Sequence, residues 1–396
     1  MLMSTNPVAA VYAKKLDRDR APAKAPNLKS KFAQLRAELA ASLIDREDEI
    51  DLTLTALIGQ TSLLFVGPAG CAKSMTLESI FKAVAGGKVF TWLMGKFTEP
   101  DEIFGPVDIL ALKAGKRRRI TAGKLPEAHV AFLDEFWKAS TAIANSLLRI
   151  VNERVFDNGD GEAPVPLKCL VAASNEYPQD GELGAMFDRF VLRKNVNYVG
   201  RRASRKRLLR TMDHRPKLTV SLELSDLDAA HKEAMALPFP EASWELAELI
   251  VENCIAEGVR PSDRRLPLIG KVCRAFAYAC GANEVKPEHL EVLAHVLWTD
   301  PEEQPLKVAK IVARIANPFG SIIADKLGQA ESVGERISAA TTVDLLKRAG
   351  TDAVPKLTEL CKELEKLPDD PRRDKALTRV TALSKTAYMA SIGRRE

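Results

Sequence analysis

Lys73 and Ser74 close the string Gly67-Pro-Ala-Gly-Cys-Ala-Lys-Ser, and Asp134 and Glu135 close the string Ala131-Phe-Leu-Asp-Glu further on. An amine, a hydroxyl and two carboxylates in that order are the parts of a phosphoryl-transfer site. Gly67 and Gly70 let the backbone curl so that several N–H groups point inward, with Pro68, Ala69, Cys71 and Ala72 filling the turn. A helix starting near Lys73 adds the positive end of its dipole to hold anionic oxygens. Lys73 then reaches the β and γ phosphates of ATP, while Ser74 and Asp134 hold Mg²⁺, Asp134 through the ion's water shell. Glu135 orients and polarises the attacking water as general base. The strict pattern asks for glycine immediately before the lysine. Ala72 stands there, a departure of one methyl group.

Three further polar residues end or interrupt apolar runs. Asn175 follows Leu170-Val-Ala-Ala-Ser and can reach the γ phosphate or the water. Arg189 lies in Met186-Phe-Asp-Arg-Phe, where an arginine between aromatics suits insertion into a neighbouring subunit's site, and Arg193 is the competing candidate. Ser262-Asp-Arg-Arg265 reads as a helix start, capped by Ser262 or Asp263, with Arg264 or Arg265 free to turn toward nucleotide.

The elements that must position these residues follow from periodicity. Apolar runs at 63–66, 89–93, 130–133 and 169–173 read as buried strands, and helical spacing between them implies an α/β module with a parallel sheet and its ligand site at the carboxyl ends. Helical periodicity begins near Lys31 and continues through Ile44 to Ile58. Two glycine-bearing inserts, 105–126 with the basic run Lys116 to Arg119 and 153–168 with Asn158-Gly-Asp-Gly161, read as hairpins. The expected organisation is a flexible basic arm over 1–30, the nucleotide-binding module over 31–215, an all-α lid over 216–304 and a helical C-terminal extension over 305–396.

Bulk properties narrow the class. The net charge of +5 is matched by the excess of seven basic over two acidic residues between Lys14 and Lys31, which points to an arm and not to a basic fold surface. Six cysteines without CxxC pairing read as buried thiols in a reducing compartment. Five scattered histidines show no zinc spacing. With no apolar run long enough to span a bilayer, a soluble cytoplasmic protein is expected.

The order of parts resembles the AAA+ ATPases, and within them the MoxR family in its RavA-like branch, over about residues 31 to 300. The strings that carry it are Gly67 to Ser74, Phe97 to Pro106, Gly123 to Ala128, Phe132 to Lys138, Val151 to Arg154, Phe187 to Phe190 and Ser262 to Arg265. RavA-like chains also carry alanine before the lysine, so Ala72 points to that branch. The resemblance implies that Asn175 is sensor 1, Arg189 the arginine finger, Arg264 sensor 2, and that Ile44 to Arg46 lies against adenine. It further implies a homo-oligomeric ring, a hexamer, that hydrolyses ATP at subunit interfaces to remodel a client protein, chaperone-like, alongside a von Willebrand factor A domain partner. The other reading, from related rings with similar inserts, is a DNA-dependent motor whose activity falls with salt. Beyond residue 305 nothing resembles the β-rich insertion of RavA.

Overall fold

A computed structural model of the chain describes residues 27–159, 161–178, 181–211, 216–368 and 371–394. Most of the expected basic arm lies outside the described residues, yet Lys29 and Lys31 are folded. Both belong to helix α1 (Leu28–Ser42), whose N-terminus is capped by the Asn27 side chain. The expected continuation through Ile44 breaks at residues 43–46, where Asp45 takes a positive φ of 53°. Helix α2 (Glu47–Gly59) restarts with Glu47, Asp48 and Glu49 in its first turn, where acidic side chains suit the helix dipole.

The sheet is five-stranded and parallel, in the order β3-β4-β7-β1-β8. Strand β1 (Ser62–Val66) lies between β7 and β8, and helix α3 (Lys73–Phe81) follows it across one turn. After β2 (Val84–Ala85) come β3 (Val89–Leu93), β4 (Val130–Asp134) and β7 (Cys169–Ser174). Residues 62–66 and 169–174 are buried throughout, as strands covered on both faces must be. Strand β8 (Leu192–Asn195) was not legible from an apolar run, because Arg193 and Lys194 occupy its middle. Arg193 is fully buried between the rings of Phe187 and Trp298, 4.9 and 4.5 Å from their centroids, and donates to the Val296 carbonyl at 2.8 Å. Aromatic faces and one carbonyl replace part of the water that its guanidinium would otherwise need, while Nε and Nη1 have no hydrogen-bond partner among the described residues.

The two inserts differ from each other. The second is the expected hairpin, β5 (Val155–Asp157) against β6 (Glu162–Pro164). The first is not a hairpin. After helix α4 (Pro100–Phe104), the Asp108 carboxylate caps a short helix α5 (Ile109–Lys113), and the loop closes on a single antiparallel bridge between Val107 and Arg119. Asp108 offers its carboxylate to the N–H groups of Leu110 and Ala111, which favours a helical turn over a strand.

Helices α6 (Thr141–Glu153), α7 (Gly181–Arg189) and α8 (Arg202–Arg210) complete the first module. The lid consists of α9 (Leu224–Met235), α10 (Glu241–Ala256), α11 (Ile269–Ala279), a 3₁₀ stretch at Pro287–His295 and α12 (Gln304–Ala316). One continuous apolar core runs from Phe32 to Ala316, so α12 packs with the lid although it follows residue 304. Ser262 does not cap a helix: its hydroxyl is held by Asp188, and the helix starts at Ile269. Helices α13 (Pro318–Ala339), α14 (Val343–Glu365) and α15 (Pro371–Ser391) enclose a separate core, with Gly350 of α14 so near the α15 backbone that a β-carbon would sit 2.3 Å from the Ser391 nitrogen. Four cysteines are buried as expected, whereas Cys280 is exposed and Cys361 half-buried.

Candidate active site

At the carboxyl end of β1 the chain turns back on itself. Gly67 donates its N–H to the Ser174 carbonyl at 3.1 Å, and a β-carbon on it would sit 1.9 Å from the Val196 carbonyl oxygen. Only glycine fits between those strands. Gly70 has φ +79°, and Ala72, the residue before α3, has φ +64°. The sequence departure at 72 is therefore more than one methyl group of bulk. It places an alanine where the backbone adopts the left-handed conformation, which costs about 1–2 kcal/mol.

The resulting cradle holds the reactive side chains together. Lys73 Nζ donates to the carbonyls of Gly67 and Pro68 at 2.5 and 3.0 Å and to Asn175 Oδ1 at 2.7 Å. Ser74 Oγ donates to Asp134 Oδ2 at 2.6 Å. Asn175 Nδ2 donates to Glu135 Oε1, so Lys73, Asn175 and Glu135 form one chain of contacts from the start of α3 across the ends of β7 and β4. Glu135 reaches this position because it leaves the strand with φ +52° and its N–H is held by Asp134 Oδ1 at 2.9 Å. The reversal turns two neighbours that would point to opposite sheet faces toward one site. Glu135 Oε2 is buried without a hydrogen bond, 3.4 Å from Lys138 Nζ. Such an orphaned carboxylate oxygen beside a cationic cradle fits a role in holding a water, and the hydroxyl–carboxylate pair of Ser74 and Asp134 fits Mg²⁺. Among the described residues no group of three or more His, Cys, Asp or Glu side chains could hold a metal ion.

Beside the cradle lies a cavity of about 280 Å³. Ile44 lines it together with Leu43, Met75, Tyr198, Val199 and Leu208. It is apolar enough for a flat heterocycle. Tyr198 was missed from the sequence; its hydroxyl donates to the Ala69 carbonyl at 2.9 Å and so braces the turn. Nothing in the sequence marked it, because β8, which ends three residues earlier on the same carboxyl edge, was itself not legible. Arg46 is buried at the junction, donating to the carbonyls of Cys71 at 3.1 Å and Asn197 at 3.0 Å.

Arg189 and Arg264 are not in this group. The Arg189 carbonyl accepts from Ser62 Oγ at 2.6 Å, at the start of β1, and Leu192 pairs with Leu63. The five residues of β1 separate that point from Gly67 by roughly 16 Å. Asp188 gathers the other partners: Ser262 Oγ at 2.9 Å, Arg265 Nη2 at 2.5 Å and Arg264 Nη1 at 3.3 Å. Arg265 is buried in this contact, whereas Arg264 is half-exposed. Burial, and then the neighbouring Arg264, lowers the pKa of Arg189 from its ordinary value. The Arg189 and Arg264 cations thus lie near each other, with the Arg189 backbone at the end of β1 opposite the phosphate cradle. Arg193, the competing finger, is a core residue.

The fold and the cradle define a P-loop ATPase module of the AAA+ kind with an all-α lid. The chain belongs to the MoxR family of these ATPases. The family model described as the MoxR domain in the MoxR-vWA-beta-propeller ternary systems matches residues 30–225, and an AAA lid domain matches residues 244–312. Two uncharacterized proteins of Methanocaldococcus jannaschii are each 35% identical, over 288 residues (72% of this chain, 76% of the relative) and 298 residues (75% and 77%). Chaperone MoxR1 of Mycobacterium tuberculosis is 25% identical over 197 residues, 48% of this chain and 50% of that protein. A crystal structure of a candidate ATPase from Cytophaga hutchinsonii covers 78% of this chain and 98% of its own, with a TM-score of 0.59 at 16% identity, which shows the shared fold. Among the described residues no helix is long and apolar enough to cross a membrane.

Proposed function

We propose that the chain assembles into a ring, a hexamer, in which ATP is hydrolysed between neighbours to remodel or activate a client protein in the cytoplasm. Lys73 and the turn from Gly67 to Ala72 would hold the phosphates, Ser74 and Asp134 would hold Mg²⁺, and the cavity at Ile44 would take the adenine. A bound Mg²⁺ supplies charge neutralisation on the phosphate oxygens. Glu135 orients and deprotonates the attacking water, and Asn175 fixes the Glu135 carboxylate while touching Lys73. Arg189 and Arg264 would stabilise charge on the phosphates bound by the adjacent subunit.

The observation that carries this reading is the separation along β1. The Arg189 backbone is fastened at the start of β1, away from the cradle of its own chain, and Arg264 shares Asp188 beside it, which supports their supply to a neighbour's site. A von Willebrand factor A domain partner is proposed on the description of the matching family model. The RavA-like branch is proposed on the ordered strings from Gly67 to Arg265 together with Ala72.

Mixing two inactive variants tests the interface. Lys73→Ala cannot bind nucleotide and Arg189→Ala cannot complete its neighbour's site, yet mixed rings contain junctions with an intact Lys73 facing an intact Arg189. Phosphate release should reappear on mixing. If the mixtures stay as inactive as their parents at every ratio, catalysis across an interface is ruled out.

A further inference from the structure

We propose that the insert at 105–126 is a docking surface for an acidic polypeptide segment that carries aliphatic side chains. This names the chemistry of the protein acted on or recruited, and it rests on the reading of the chain as a protein-remodelling ATPase.

Helix α5 buries none of its residues. Ile109, Leu110 and Leu112 are 67%, 77% and 52% exposed, and Ile120 on the returning segment is 51% exposed. A loop that served only to be solvated would carry polar side chains at those positions. These aliphatics are also held in place. Arg119 ties the base of the loop by donating to Asp101 Oδ1 and the Gly105 carbonyl at 2.5 and 2.6 Å. From the neighbouring hairpin, Asn158 accepts from the Arg119 N–H at 2.8 Å, and Gly159 lies so near the Arg117 carbonyl that a β-carbon would be 1.7 Å away. Exposed apolar groups on a braced backbone bind with little ordering cost.

Charge specifies the partner. Between residues 109 and 126 there is no acidic residue, and Lys113, Arg117 and Arg118 are exposed beside the aliphatics. An acidic segment is complementary to that rim. Nucleic acid would satisfy the cations but leave the aliphatics idle, since bases stack on aromatic rings and the insert has none.

The test uses the full chain and fluorescence anisotropy with four labelled probes: a Glu/Leu repeat peptide, a Lys/Leu peptide, a Glu/Ser peptide and oligothymidine. Tight binding of the Glu/Leu peptide alone is expected. Leu110→Ser with Leu112→Ser, and separately Arg117→Glu with Arg118→Glu, should each weaken it by at least about tenfold, the scale of losing buried aliphatic or paired contacts. Both variants should keep the parent's basal ATP hydrolysis. Absence of Glu/Leu binding, equal binding by parent and variants, or oligothymidine binding lost only with the arginines would each overturn the proposal. ATP hydrolysis without peptide binding would sink the docking surface and leave the ATPase reading intact. Peptide binding without hydrolysis would do the reverse.

Discussion

The hydroxyl of Ser62 donates to the carbonyl of Arg189 at 2.6 Å and accepts the Val191 N–H at 3.2 Å. One side chain therefore fastens the end of helix α7 to the start of the strand whose other end forms the phosphate cradle. Ser62→Ala removes both contacts, at about 1–2 kcal/mol. Nucleotide affinity should stay near that of the parent, because the cradle is not touched, while the rate of phosphate release drops severalfold as Arg189 loses its fixed origin. An equal loss of affinity and rate would show that the contact serves the strand as a whole.

Ala72→Gly relieves a left-handed alanine. The expected result is an unchanged or tighter nucleotide site and a thermal midpoint raised by about 1–3 °C, the net of about 1–2 kcal/mol of relieved strain and the greater freedom of glycine in the unfolded chain. Gly67→Ala works in the other direction. With a β-carbon 1.9 Å from the Val196 oxygen, β1 and β8 must part, and about 2–3 kcal/mol of stability should be lost along with nucleotide binding.

Glu135→Gln preserves the shape of the side chain and its contact with Asn175 while removing the base. Fluorescent nucleotide should still bind. Turnover should fall by about 10²- to 10⁴-fold, the usual contribution of a positioned general base. Hydrolysis at the parent rate would remove Glu135 from that role.

His295 gives a pH dependence. Burial, reinforced by Lys194, pushes its imidazole down to about 4, with Asp48 opposing, and its Nδ1 lies 3.3 Å from the Arg193 carbonyl. The unfolded chain takes up this proton near the ordinary value of about 6.5, so between there and about 4 the unfolded state binds more protons than the folded one. Stability from this group is complete above about pH 6.5 and declines on acidification through that window, by on the order of 1–3 kcal/mol. His295→Gln should flatten the dependence of the thermal midpoint on pH in that range. A slope unchanged by the substitution would assign the acid sensitivity to other groups.

The parts of the site that were legible in the sequence share one form, an apolar strand that ends abruptly in polar residues. Val66 to Ser74, Leu133 to Glu135 and Ala173 to Asn175 all show it, and the structure gathers all three at one edge. What was not legible depends on partners far along the chain. Arg193 reads as surface until Trp298 and Val296 arrive to cover it. Helix α5 was mistaken for a strand because a glycine-rich, basic segment suggests a hairpin, while the deciding term was the reach of the Asp108 carboxylate to two N–H groups. Arg264 could be placed beside Arg189 only once Asp188 was seen to hold it.

The single core that joins the first module to the lid has a mechanical meaning. Lys29 clamps the Ala282 carbonyl at 2.7 Å, Lys31 pairs with Asp226, and Arg265 is sealed onto Asp188. Swinging the lid on its base would expose part of this apolar interior to water, at about 25 cal/mol for each Å² uncovered. In the proposed ring the first module and the lid would therefore move together. Hydrolysis would then be felt at the seam of that ring, where the cations of one subunit would meet the nucleotide of the next.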